Sequence, residues 1–111
     1  PGLAEVKYLT NESVFDIEAL PRRLVVLGAG PIGLEMAQAF ARLGSAVEVI
    51  EAADRLLPRE DAELATLLGA SLAREGVAIA LGAKAERVER RADGTIVVHV
   101  RDRSGSPRTV E

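Results

Sequence analysis

The feature that most constrains this chain is a run of four apolar residues, Leu24-Val25-Val26-Leu27, that passes directly into Gly28-Ala29-Gly30-Pro31-Ile32-Gly33. The run has strand length and no alternation, which predicts a β-strand covered on both faces. Pro31 stands where a helix tolerates proline, at its first position. Behind it Ile32, Met36, Phe40 and Leu43 recur at helical spacing, and Gly44 suits the left-handed residue that closes a helix. Alone, G-x-G-x-x-G is a common tight turn. Between a strand and an amphipathic helix it becomes a junction built to receive an anion.

The following residues repeat the unit. Val47-Glu48-Val49-Ile50 reads as a second strand. A second helix begins near Asp61, a capping residue, with Leu64, Leu67, Leu68 and Leu72 assigned to its apolar face and Gly76 beyond its end. Val77-Ala78-Ile79-Ala80 reads as a third strand. The expected fold class is therefore α/β, a Rossmann-type βαβαβ unit whose right-handed crossovers order the parallel strands 3-2-1. Residues 85–91, the turn dipeptide Asp93-Gly94 and the alternating segment 95–101 predict an antiparallel hairpin. In that hairpin Ile96, Val98 and Val100 share one face, and Val97, His99 and Arg101 the other. Thr109-Val110 begins a further strand, so the meander is expected to be truncated before its last strand. Residues 1–21 read as a lead-in and 22–111 as the nucleotide-binding domain. Within the lead-in, Thr10-Asn11-Glu12-Ser13 offers capping side chains to a short apolar stretch (Val14, Phe15, Ile17, Leu20) that Pro21 ends. A chain opening on Pro1 is expected to be a piece of something longer.

Composition removes several classes of function. Three aromatic residues (Tyr8, Phe15, Phe40) and a net charge of −3 leave neither the stacking rings nor the basic groove of a nucleic-acid binder. The chain has no cysteine and a single histidine, His99, hence no disulfide framework, thiolate metal site or redox thiol of its own. No apolar run approaches the roughly 18 residues of a membrane span, and a cytoplasmic location is expected. The excess of arginine over lysine carries no functional reading.

An acid, Glu51, ends the second strand at the distance from the glycine turn at which dinucleotide folds place a ribose-binding carboxylate. Each fingerprint residue has a physical task. Gly28 permits the tight turn, Gly30 lets the backbone approach a pyrophosphate, and Gly33 lets the helix lie close on the sheet, a contact that Ala37 continues. The free amides at the helix start, with the positive end of its dipole, face the pyrophosphate, and Pro31 gives one of them up. Glu51 would accept from both ribose hydroxyls and repel a 2′-phosphate, which favours NAD(H) over NADP(H). Arg55, four residues on, would instead suit a phosphate if its loop folded back. Glu35, read from position alone, complements the helix dipole in the first turn. Pro58-Arg59-Glu60-Asp61 reads as a loop and cap, and Ser71 as a polar break in a leucine face with no obvious partner. His99 reads as solvated, and Glu86, Arg87, Glu89, Arg90 and Arg91 as solvated hairpin edges.

From residue 24 to Glu51, and on through Asp54-Arg55-Leu56-Leu57-Pro58, the chain resembles the NAD(P)-binding domain of the two-domain flavoprotein pyridine nucleotide–disulfide oxidoreductases. Its nearest likeness is to the dihydrolipoamide dehydrogenase and mercuric-reductase-like branch. Leu20-Pro21, the segment from Gly28 to Glu35, Phe40 to Gly44, and the Ala92-Asp93-Gly94 hairpin carry the resemblance, which covers essentially the whole chain. It implies an FAD-dependent parent in which this domain presents nicotinamide for hydride transfer to the flavin. In such proteins FAD-binding and dimerisation domains, absent here, complete a homodimer, and a cysteine pair of the flavin domain passes electrons on. It also implies that Glu35 lies beside the nicotinamide and pairs with a lysine of the flavin domain. Glu51 then matches the ribose acid of NAD-specific members, and Ala83 to Val88 the wall near the adenine. The chain departs from the family where many members carry a gating tyrosine in place of Pro31. The family's domain continues past Glu111, which implies an exposed sheet edge beside the first strand and a chain that does not turn over alone. Two other readings share the glycine turn. One is a non-catalytic NAD-sensing module, and the other has FAD held by the same fingerprint, against which stand the 27 residues that precede Gly28.

Overall fold

The computed structural model describes residues 1–10, 12–57 and 61–111, and at positions 15 and 16 the backbone only. Asn11 of the expected cap, the Phe15 side chain, and Pro58, Arg59 and Glu60 of the expected loop lie outside the described residues. Two 3₁₀ turns, Leu3–Glu5 and Ser13–Asp16, precede β1 (Arg23–Leu27), α1 (Pro31–Leu43), β2 (Ala46–Glu51), α2 (Ala62–Arg74) and β3 (Ala78–Leu81). β4 (Lys84–Arg90), β5 (Ile96–Arg101) and β6 (Pro107–Val110) follow. The first three strands form a parallel sheet with β2 in the centre, and the last three an antiparallel sheet with β5 in the centre. Register runs from Arg23 opposite Ala46 to Leu27 opposite Ile50, and from Glu48 opposite Ala78 to Glu51 opposite Leu81. The expected α/β class, the 3-2-1 order and the late strand at residues 109–110 all stand. β3 starts one residue later than expected, and Val77 is a buried residue ahead of it.

The helix ends follow from local chemistry. Pro31 opens α1 with its φ already fixed. Gly44 closes it at φ 113°, with its N–H on the Ala41 carbonyl and that of Ser45 on Phe40. Asp61 caps α2 through Oδ1, which accepts from the amides of Glu63 at 2.8 Å and Leu64 at 3.3 Å. In the lead-in, Thr10 and Ser13 bond reciprocally, as their capping side chains suggested.

Both helices are rolled in part from the expected phase: Phe40 and Leu72 are buried as expected and Met36 and Leu68 pack against the same core, but two members of each stripe lie outside it. α1 buries Leu34, Ala37 and Phe40, while Ile32 (53% exposed) and Leu43 (66% exposed) face outward and Met36 is half-buried. α2 buries Ala65 and Leu72, leaving Leu64 and Leu67 64% and 67% exposed. The physical reason is the same in each. Small residues at i, i+4 spacing (Gly33, Ala37 and Ala41 on α1; Ala65 and Gly69 on α2) let the helix axis come close to the layer beneath. That close seam, not the largest side chains, sets which face turns inward. A Cβ added to Gly69 would stand 3.0 Å from Leu56 Cδ1.

Two apolar cores result. One, with Leu34, Phe40, Val49, Leu72 and Val77, lies between the helices and the parallel sheet. The other, with Val6, Ile50, Val88, Val98 and Val100, joins that sheet to the antiparallel one. Val97, assigned by alternation to the polar face, is fully buried. The lead-in contributes Val14 to the first core and Val6 to the second. Its Pro1 carbonyl accepts the Val88 amide at 2.9 Å, and a Cβ on Gly2 would overlap the Val88 carbonyl. β1 is covered on both faces as expected, with Leu24 and Val26 packed against the first core and Val25 against the second. It is also the edge strand that the 3-2-1 order implies, paired with β2 alone among the described residues and exposed at Leu27.

Ion pairs connect the layers. Arg108 of β6 reaches Glu48 in the middle of β2 at 2.6 Å while its Nε lies 2.9 Å from Asp102. The Glu48 and then the Asp102 hydrogen bond hold its guanidinium above the usual arginine range. A half-buried pair of this kind contributes about 1 kcal/mol or less, so it aligns two sheets that the apolar core already holds. The hairpin charges are not merely solvated. Glu86 pairs with Arg101, Arg87 with Glu89, and Arg91 with Glu111. His99 lies 3.0 Å from both Glu89 and Arg87, and it is the main reason the Glu89 carboxyl sits below the usual range. Directly opposed and diagonal positions on an antiparallel pair bring such groups together.

Candidate nucleotide-binding site

The turn between β1 and α1 gathers most of the residues that the sequence singles out. Gly28 lies at φ 108°, a region closed to most side chains, and donates its N–H to the Ile50 carbonyl at 2.9 Å. Gly33 is glycine for a different reason: a Cβ there would stand 2.4 Å from the Gly28 carbonyl oxygen. Gly30 obeys neither constraint. Its φ is an ordinary −76°, and a Cβ added to it would meet nothing within 4 Å among the described residues.

Gly30 is also the N-cap of α1, and no side chain caps that helix. The first amide bonded inside α1 is that of Leu34, on the Gly30 carbonyl at 3.0 Å. Pro31 has no N–H, so the donors left at the positive end of the helix are the amides of Gly30, Ile32 and Gly33. They border a cavity of about 780 Å³ that runs along the β1 edge past Gly28, Gly30 and Ile32 toward Met36 and Phe40.

Glu51 ends β2 beside this turn, half-buried, with Oε1 3.4 Å from the Ala29 amide. Ala29 itself is fully buried. The Glu51 carbonyl accepts the Ala83 amide at 3.0 Å, so Ala83 stands against the acid although its own methyl is buried. The turn, Glu51 and Ala83 thus form one place in the fold. Val88 does not join them. It sits in the core between the sheets with Val6 and Ile50. Glu35 is exposed and occupies the fifth helical position, past the first turn to which its dipole role was assigned. Arg55 is half-buried in the segment that follows Glu51.

One residue of this neighbourhood carried no signal in the sequence. Leu57 has φ 45° and donates its N–H to the Ala29 carbonyl at 2.9 Å. Leucine is not a residue that marks a left-handed position, so nothing in the residue type pointed to it. Among the described residues no group of three or more His, Cys, Asp or Glu side chains is placed to hold a metal, and no helix is long and apolar enough to cross a membrane.

The model of the family described as pyridine nucleotide-disulphide oxidoreductase matches residues 23–104. The chain is 42% identical over its full length to the mercuric reductase of Bacillus cereus, of which it covers 17%. Over 80% of its length it is 42% identical to the dihydrolipoyl dehydrogenase of Thermus scotoductus, of which it covers 19%. It therefore spans about a fifth of the length of these curated relatives. Among solved structures it superposes on the HOCl-induced flavoprotein disulfide reductase RclA of Escherichia coli, in a copper(II) complex of a variant. That match has a TM-score of 0.81 at 33% identity, over 99% of this chain and 24% of that one. It also superposes on the water-forming NADH oxidase of Lactobacillus brevis bound to NADH, with a TM-score of 0.70 at 28% identity, over 89% of this chain and 21% of that one.

Gly33 and Gly30 should separate in a stability measurement. Gly33→Ala forces a backbone clash and should lower stability by about 2 kcal/mol or more, seen as a fall in Tm. Gly30→Ser places a favoured N-cap residue in open space and should leave Tm unchanged or raised. Equal losses from the two would contradict the distinction.

Proposed function

The chain belongs to the pyridine nucleotide-disulphide oxidoreductase family, and on that premise we propose that it is the NAD(H)-binding domain, spanning residues 22–111, of a cytoplasmic FAD-dependent oxidoreductase. The observation that supports this reading most is Gly30. The backbone conformation of Gly28 and the packing of Gly33 account for those two glycines, yet nothing among the described residues requires Gly30 to lack a side chain. A residue kept bare over open space, at an uncapped helix N-terminus, fits the close approach of a pyrophosphate. Each amide bond to such an anion contributes about 1.5–3 kcal/mol.

The residues divide the work. Gly30, Ile32 and Gly33 donate amides to the pyrophosphate. Gly28 and Ala29 hold the turn, and Pro31 fixes the first helical φ without competing as a donor. Glu51 receives the hydroxyls of the adenosine ribose, and its charge disfavours a 2′-phosphate. Ala83, buttressed on Glu51, stands nearest the adenine end, with Val88 supporting that wall from the core behind it. When bound, the nucleotide supplies a hydride to flavin, and the chain's contribution is to hold and orient it. Glu35, exposed beyond the donors, would meet a lysine of the flavin-binding domain. The open edge of β1 is left for structure supplied by the rest of the protein, which would add FAD-binding and dimerisation domains and work as a homodimer.

Two measurements test this. Glu51→Ala loosens the Ala29 amide for either nucleotide, so the preference for NADH over NADPH isolates the ribose contact. That ratio should fall by about tenfold or more, and an unchanged ratio would remove Glu51 from ribose recognition. The intact protein that carries this domain should show a bound-flavin absorption spectrum that bleaches on anaerobic addition of NADH. A colourless protein that binds NADH would overturn the flavoprotein assignment and favour a sensing module.

A further inference from the structure

The Ala29–Gly30 peptide is the plane that decides where the Gly30 amide points. A trans peptide is rigid and planar, and its C=O and N–H project in opposite directions. Whatever holds the Ala29 carbonyl therefore aims the Gly30 N–H. That holder is Leu57, whose amide reaches the Ala29 oxygen at 2.9 Å. Glu51 does not do this. Its carboxylate meets the Ala29 N–H, which belongs to the preceding plane.

Leu57 is a costly choice for such a post. It is the one non-glycine residue with positive φ among the described residues, at 45°, and a left-handed leucine is disfavoured unless its surroundings hold it there. They do. Leu56 is buried in the first core and Leu57 packs against the same core, so two consecutive side chains point inward. An extended backbone would send them to opposite faces. The left-handed twist lets both leucines anchor the segment while the Leu57 amide turns to the glycine turn. At the segment's other end the Ala53 carbonyl accepts the Gly82 amide at 2.8 Å. The Leu57 anchor is thus tied to the core and to the strand that follows α2, and it does not depend on a ligand.

We infer that Leu57 is a positioning residue for anion recognition: its backbone N–H, through the Ala29 carbonyl, aims the Gly30 amide at the pyrophosphate. The inference rests on the nucleotide reading given above and adds a residue to it. What acts on the glycine turn from position 57 is the N–H in its left-handed setting; the side chain only helps to anchor the segment, which the buried Leu56 also does.

Leu57→Pro removes the N–H and forbids the positive φ, whereas Leu57→Gly keeps the N–H and adopts that φ freely. In folded protein, checked by circular dichroism, Leu57→Pro should weaken NADH and ADP-ribose by about tenfold or more. Adenosine, which has no pyrophosphate, should change by less than about threefold. Leu57→Gly should bind NADH within about threefold of the unsubstituted chain. Tight NADH binding by Leu57→Pro, an equal loss in Leu57→Gly, or an equal loss for adenosine would each overturn the assignment. If Leu57→Pro does not fold, amide hydrogen exchange on the unsubstituted, nucleotide-free chain decides. The Leu57 N–H should be protected there, and exchange at the rate of an open loop would overturn the anchor. Failure of the unsubstituted protein to bind either NADH or NADPH would instead refute the nucleotide reading, and the exchange measurement would still report on Leu57.

Discussion

Gly33 lies so near the Gly28 carbonyl that a single methyl group would stand 2.4 Å from that oxygen, and much of the molecule is arranged around this approach. Because α1 comes down onto its own entry turn, Ala37 is driven into complete burial and Phe40 follows it inward. Ile32 at the first turn is left outside, beside the unbonded amides. The same closeness aligns the axis of α1 with the turn, so that the helix dipole and the amides act on one point. A looser helix would keep the fold class and lose the focus. The seam between α2 and Leu56 repeats the device one unit later, and it fixes the segment from which Leu57 reaches back to Ala29.

The antiparallel sheet gives the parallel one its second cover. A three-stranded parallel sheet with helices on one face would leave Ile50 and Val25 in water. Val88, Val98 and Val100 bury them from the other side. The Arg108 interaction with Glu48 and Asp102 then sets how the two sheets lie against one another. Glu111 adds a similar link by pairing with Arg23 on β1 and Arg91 beyond β4. β1 has no such neighbour on its outer side, and the cavity along it is the least finished surface among the described residues.

The strands, helix starts and helix ends were legible in the sequence because local chemistry sets them: apolar runs, Pro31, Asp61 and the left-handed Gly44. The buried faces of the helices were legible in part: Phe40 and Leu72 lie inward, but the closest contact is made by glycine and alanine, whose contribution to a hydrophobic pattern is slight. β1 read as covered on both faces because its apolar run lacks alternation, and its side chains do pack on both sides of the sheet, while its edge position follows from the 3-2-1 strand order. His99 read as solvated for a related reason. Its partners Glu89 and Arg87 lie on the neighbouring strand, and only register brings them near. Of the site, Gly28, Gly33 and Glu51 were visible as residue types with a task, and the structure brings them together with Ala83. Leu57 was invisible, since its contribution is a backbone amide in a conformation that leucine does not advertise.

The account turns on whether the bare side of Gly30 is where a dinucleotide's pyrophosphate lies. The most direct measurement is a titration of the ¹⁵N-labelled chain with NADH, following the amide resonances of Gly30, Ile32 and Gly33. Saturable shifts that are largest at these three amides, with smaller ones near Glu51 and Ala83, are the predicted result. Saturable binding that leaves the three amides unmoved would place the nucleotide elsewhere and contradict the account.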